Sequence, residues 1–257
     1  MKKIGRRCAF CHEEKRLTKE HIWPKCIVKK MPELELKYLD SRNIITSSEL
    51  VISDVCSECN NEKLSLLDSY FCSLYDSYFK DFVEEKKPLK FTYNYDLLLR
   101  SFLKITYNSS RTVSRENNDL ERFRNYILSG NEIREDVIVK IDIITPSIIN
   151  DVKIYPSAAR CGTFSIGKKS DNFILRVLSV NSYYFYIVIS NEEKIAEDIM
   201  TNEFWDVFNS VPGTLIQPYG NEITVNKFSR EDSYSILYPH ISSKEEYYAK
   251  IFNNKNS

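Results

Sequence analysis

Cys8-Ala9-Phe10-Cys11 and, after residues 12–55, Cys56-Ser57-Glu58-Cys59 are the two stretches on which the fold of this chain turns. Each is a CxxC pair, and two such pairs supply the ligand set of a tetrahedral four-cysteine zinc site. Four thiolates close the coordination shell and leave no position for a substrate, so a site of this kind is structural. It pins two distant knuckles together and replaces a core that so short a segment cannot build. His12, next to Cys11, is the one rival donor. It ranks behind the cysteines because the knuckle already supplies two sulfurs.

The end of the chain that carries these pairs is chemically distinct. Five of the seven cysteines (Cys8, Cys11, Cys26, Cys56 and Cys59) lie in the first 59 residues, as do two of the three histidines. The first 30 residues hold ten Lys/Arg against three Glu. Over all 257 residues, however, 36 Lys+Arg balance 36 Asp+Glu. A uniformly basic nucleic-acid coat is thereby excluded, and a local basic patch is not. The 17 Tyr and 14 Phe exclude wholesale disorder. No apolar run approaches the roughly 18 residues of a membrane span. Met1–Arg7 is basic with no apolar stretch behind it, so it does not read as a secretory signal. A cytoplasmic location is expected, where thiols stay reduced. Cys26, Cys72 and Cys161 accordingly read as small buried hydrophobes and not as disulfide partners.

Residues 1–70 read as a metal-stapled module. Ile44-Ile45 and Leu50-Val51-Ile52 are short strand candidates, and a helix is expected from near Ser57 through Leu64, Leu67 and Phe71. Apolar residues at helical spacing carry that pattern to Phe82, and Pro88 breaks it. Further helices are expected over 96–108 and 116–129, the latter closed by Gly130. From 136 the pattern becomes that of strands: 137–144, 173–178 and 183–189, rich in β-branched and aromatic residues. A helix over 192–209 and strands over 214–217 and 222–225 follow. The fold class expected is α+β, with residues 71–257 forming a helical and then α+β part that has a further boundary near 130.

Between the cysteine pairs stands Thr18-Lys19-Glu20-His21-Ile22-Trp23-Pro24, and after the second pair Cys59-Asn60-Asn61-Glu62-Lys63. The order CxxC, then E-H-I-x-P, then CxxC-N-x-x-K resembles the HNH endonucleases of the zinc-stapled ββα-metal type, over about residues 5–70. The resemblance implies that His21 is the general base and that Glu20 and Asn60 hold a catalytic Mg²⁺ or Mn²⁺. It also implies products with a 5′-phosphate and a 3′-hydroxyl. Asn43, ahead of Ile44-Ile45, is the best placed residue for the motif's middle asparagine, with Asn61 a poorer one. Lys63 is placed to meet a substrate phosphate.

The chemistry of the residues agrees with this. An imidazole titrating near 6.5 suits proton abstraction from water at neutral pH. Carboxylate and amide oxygens suit a hard cation that keeps several waters. Adjacent residues of a strand face opposite ways, so Glu20 and His21 can serve one site only where the strand bends or ends, and Pro24 favours an ending. Each also has a bland alternative: a structural histidine, a surface carboxylate, a helix-capping asparagine and a solvated lysine.

Arg100, Lys104, Asn108 and Arg111 fall on one stripe of the expected second helix. Such a stripe can track a phosphate backbone, or it can be a solvated face balanced by nearby acids. Tyr183–Tyr186 is either a base-stacking platform or a buried central strand. The expectation from sequence is therefore a metal-dependent endonuclease acting on DNA, with RNA an alternative substrate. Its C-terminal part would serve recognition, a regulatory protein partner or a homodimer, and restriction or anti-phage defence would suit it. The rival is a non-catalytic zinc module that binds nucleic acid or protein.

Overall fold

The protein is described by a computed structural model, which covers residues 7–31, 34, 36–39, 44–47, 50–113, 119–130, 134–149, 152–156, 159–164, 172–191, 202–226 and 228–230. It is a mixed α+β structure. β1 (Leu17–His21) leads through Pro24 into α1 (Lys25–Lys30). β2 (Leu36–Leu39) and β3 (Ile44–Ser47) form a hairpin, and β4 (Val51–Cys56) returns antiparallel to β1. A π-helical turn, Cys59–Leu64, runs into α2 (Ser65–Leu74) and a second such turn, Tyr75–Phe79. This helical run passes residue 70 without a break. The expected strand candidates at 44–45 and 50–52 correspond to β3 and β4, and the helix from near Ser57 is present.

β5 (Leu89–Thr92) precedes α3 (Tyr95–Val113), which is longer than its sequence pattern suggested. A 3₁₀ turn, Asp119–Phe123, opens α4 (Arg124–Ser129). Gly130 ends α4 at φ +71°, where a Cβ would lie 2.9 Å from an Asp96 carboxylate oxygen. Glycine thus meets both the left-handed backbone and the crowding. The remaining strands are β6 (Val137–Thr145), β7 (Ser147–Ile149), β8 (Val152–Ile154), β9 (Arg160–Thr163), β10 (Phe173–Val180) and β11 (Tyr183–Ser190). After them come α5 (Asn202–Ser210), β12 (Thr214–Leu215), β13 (Glu222–Val225) and β14 (Phe228–Arg230). The first part of the expected 192–209 helix lies outside the described residues.

The main sheet has the order β12-β6-β11-β10-β9, with β14 parallel to β6. β10 and β11 form a tight hairpin whose Asn181 sits at φ 49°, a conformation asparagine tolerates better than most residues. The Asn181 side chain donates to the Phe79 carbonyl at 2.7 Å, tying the hairpin to the end of the α2 run. β11 is buried along its whole length because both sheet faces are covered. Phe185 meets Phe102 of α3 on one face, ring centroids 4.5 Å apart. Tyr184, Tyr186 and Val188 meet α5 through Val207 on the other. Tyr183–Tyr186 is therefore core, as a strand covered on both faces must be, and not a stacking platform. One cluster of buried apolar residues runs from Cys8 to Val225. Among the described residues no helix is long and apolar enough to cross a membrane.

Cys26 of α1 and Cys72 of α2 form a disulfide, which corrects their expected role as free buried thiols. The two helices lie side by side, a proximity across 46 positions that spacing in sequence does not reveal. Closing a loop of that length removes denatured-state entropy, so Cys72→Ala should cost about 2–4 kcal/mol. Guanidinium unfolding of the variant beside unreduced wild-type protein measures it. Resistance of both thiols to iodoacetamide before reduction checks the bond itself, and rapid alkylation would contradict it.

Candidate functional site

The four cysteines of the two knuckles come together, with their Sγ atoms all within 4.8 Å of one another. The Cys11 and Cys56 sulfurs are 3.8 Å apart. Zn–S bonds of about 2.3 Å in a tetrahedron require sulfur separations of roughly 3.8 Å. The backbone N–H of Cys56 donates to Cys8 Sγ at 3.3 Å, and that of Cys59 to Cys56 Sγ at 3.5 Å, contacts that favour thiolates. Burial opposes ionisation of Cys8, but the N–H groups of Cys56, Cys11 and Phe10 outweigh it and bring that thiol down to about 7. Burial pushes Cys59 well up, and the sulfurs of Cys56, Cys8 and Cys11 push it further. Four thiolates packed so closely need a cation among them. The donor set and its geometry fit a metal ion such as zinc.

His12 is not part of this cluster. Its Nε2 lies 2.9 Å from Glu121, in the middle of the 3₁₀ turn before α4. The first knuckle is held from outside the N-terminal segment twice more: Tyr107 donates to the Ala9 carbonyl at 3.1 Å, and Arg124 to that of Phe10 at 3.1 Å.

β1 and β4 carry the motif residues away from the metal cluster. Leu17 pairs with Cys56 and Thr18 with Val55, but Glu20 pairs with Ile52 and His21 with Val51. One extra residue on β4 is accommodated there, a β-bulge, which bends the pair next to the motif. β1 ends at His21, the ending that Pro24 implied. His21 is half-buried, and its carbonyl accepts from Asn108 Nδ2 at 3.3 Å. Asn60 stands opposite β1 and donates to Thr18 Oγ1 at 3.0 Å and to the Lys19 carbonyl at 2.8 Å. It braces the helix start against the strand and does not cap the helix. Lys63 is exposed. Asn43 lies outside the described residues.

Glu20 points inward and is 2% exposed. The Lys104 ammonium lies 2.5 Å from its Oε1 and also pairs with Asp68 of α2. Burial pushes the Glu20 carboxyl above the usual range, opposed by the charge of Lys104. Burial would lower the Lys104 ammonium, but Asp68 and Glu20 outweigh it and hold it above its usual value. Lys104 therefore carries its proton at any ordinary pH. Asn108 Nδ2 lies 3.5 Å from Glu20 Oε1, and its Oδ1 accepts from Arg111 at 2.7 Å. Arg111 in turn approaches Asp54 of β4 at 3.6 Å and lies over the Tyr107 ring. A continuous polar chain thus runs from Asp68 through Lys104, Glu20, Asn108 and Arg111 to Asp54.

The stripe Arg100, Lys104, Asn108 and Arg111 is one face of α3, as its spacing implied, but the face is interior. Arg100 and Arg111 are 6% and 8% exposed, and Lys104 is 1% exposed. Arg100 is matched by Asp96 and the Ile127 carbonyl. These cations are neutralised within the fold and do not present themselves to a phosphate backbone. The reason is that the β1–β4 pair and α2 pack onto this face of α3. A clue was legible: residues 98–108 are apolar nearly all round apart from the stripe, and a helix of that kind is buried. Asp68 and Asp54 carried no such signal, because only the tertiary fold brings them to Lys104 and Arg111.

Compared with models of known protein families, with curated proteins and with solved structures, the chain finds no match in any of the three.

Proposed function

We propose that the chain is a metal-dependent endonuclease of the HNH type, hydrolysing phosphodiester bonds in DNA. One observation carries this reading: an antiparallel strand pair and the helix that follows it meet at four clustered cysteines, with His21 at the open end of the first strand. His21 takes the proton from the attacking water. The Asn108 bond to its carbonyl fixes the backbone that carries the imidazole, which aids in-line geometry. Mg²⁺ or Mn²⁺ would be held by the Glu20 carboxylate and the Asn60 amide oxygen, and when bound would take up charge on the scissile phosphate. The exposed Lys63 is free of the interior and suits a phosphate contact. RNA offers the same phosphodiester, and the same residues would act on it. The location in the cell, a regulatory partner or a homodimer, and a role in restriction or anti-phage defence go with this reading by analogy.

A specific observation favours a second reading, a zinc-stapled binding module without catalysis. Glu20 is already paired inside the protein, and the Asn60 amide nitrogen braces β1. Metal dependence separates the two. Zinc-loaded protein should nick or cut supercoiled plasmid, or a structured RNA, only when Mg²⁺ or Mn²⁺ is added. Binding of either nucleic acid with no cleavage under any divalent ion would support the module instead.

A further inference from the structure

Arg100, Lys104 and Arg111 are buried cations that each meet an oxygen of the fold. Arg176 of β10 is a buried cation that does not. It is 7% exposed, and no carboxylate among the described residues pairs with it. Its Nη2 approaches the Cys161 sulfur of β9 at 3.8 Å, and its Nε is closed to solvent without a partner. A desolvated guanidinium left alone is costly, so an anion is expected beside it. Cys161 could supply that charge only as a thiolate. Burial pushes its thiol up, and the charge of Arg176 and the Ser109 side chain oppose this without overcoming it. The sulfur therefore keeps its proton at neutral pH, and the guanidinium stays without a counter-charge. What surrounds it is a set of donors. Ser109 of α3 faces the same sulfur, and Thr163 stands directly opposite Arg176 across the β9–β10 pair, so the two share a sheet face. β9 ends the main sheet. Thr163 is exposed and Cys161 and Ser109 are half-buried, so the group opens to solvent at that edge.

We propose that Arg176, with Cys161, Ser109 and Thr163, is a binding site for a phosphate group. A guanidinium has five donors and no acceptor, and its Nε and Nη2 form one edge that matches two phosphate oxygens. The thiol sulfur is a weak acceptor, so it yields that edge to an oxyanion. The Ser109 and Thr163 hydroxyls and the Cys161 S–H then donate to the remaining oxygens, which a planar carboxylate would not supply. Ser109 follows Asn108, whose amide holds the His21 carbonyl, so the site lies on the adjoining face of α3. A free phosphate and the phosphate of a nucleotide chain offer the same chemistry to these donors. The inference does not rest on the nuclease reading, because none of the four residues belongs to the cysteine cluster or the Glu20–His21 segment.

The test uses zinc-loaded, full-length protein with its disulfide intact and no divalent ion added, and compares inorganic phosphate with chloride at equal ionic strength. Cys161 is the one cysteine outside the metal cluster and the disulfide, so its alkylation by N-ethylmaleimide, located by peptide mass spectrometry, reports on the site. Phosphate should slow that alkylation saturably, with a Kd of about 1 mM or tighter, and should raise the midpoint of thermal unfolding by mass action. Arg176→Met should lose both effects. If that variant fails to fold, Thr163→Glu decides. It alters an exposed position, sets a carboxylate opposite the guanidinium, and should weaken phosphate binding about tenfold or more. A 5′-phosphorylated dinucleotide and its unphosphorylated form then separate the sources. Protection of Cys161 by both assigns the site to a nucleotide chain, and protection by the phosphorylated form alone assigns it to a free or terminal phosphate. No saturable protection by phosphate beyond that by chloride overturns the proposal. So does protection that persists in Arg176→Met, or phosphate binding unchanged in Thr163→Glu. Cleavage is not read, so this proposal and the nuclease reading fail separately.

Discussion

Cys56→Ser should abolish stoichiometric zinc binding and unfold the N-terminal third of the protein. Wild-type protein should carry one zinc per chain by elemental analysis, and the variant close to none. Cys56 is fully buried and ends β4, so its loss removes one of four sulfurs and the anchor of the strand that pairs with His21. Metal binding in such sites is folding free energy, and the loss should be on the order of 5 kcal/mol or more, comparable with the whole stability of a typical domain. The sheet around β11 has an apolar cluster of its own on the α5 face and shares the cluster of Cys8 and Cys56 on the α3 face, so it should unfold in a separate, later transition whose midpoint is also lowered. Circular dichroism on heating follows both. A variant that keeps its zinc and a single transition would show that the cluster is not what holds β1 to β4.

The knuckles were legible from sequence because cysteine spacing reports ligand geometry directly. The long elements were legible for a different reason: the helical period over 96–108 and the β-branched runs at 137–144, 173–178 and 183–189 survive any tertiary context. Short pieces did not announce themselves. α1 has six residues, and β5 pairs with β13 more than a hundred positions away, so local pattern has little to report. The site was legible only in outline. The ending of β1 at His21 followed from the position of Pro24. Lys104 was read as a surface cation because helical spacing tells which residues share a face, not what covers the face. The disulfide between Cys26 and Cys72 was missed because pairing depends on the packing of α1 against α2, and an assumed reducing compartment argued against it.

His21→Ala carries the largest expected effect on activity. A positioned general base contributes about 10²–10⁴ in rate, so cleavage should fall by that factor. The bond from Asn108 should remain, because it runs to the His21 backbone carbonyl and alanine keeps it. Zinc content should match wild type because the four cysteines are untouched, and the midpoint of thermal unfolding, measured beside activity, separates loss of chemistry from loss of structure.

The measurement to make is cleavage of supercoiled plasmid by wild type and His21→Ala side by side, with Mg²⁺ or Mn²⁺ and without, at equal zinc content. Wild type should nick or linearise the plasmid only with the divalent ion, and the variant should do so at least about a hundredfold less. Equal cleavage by the two proteins would contradict the assignment of His21 as the base.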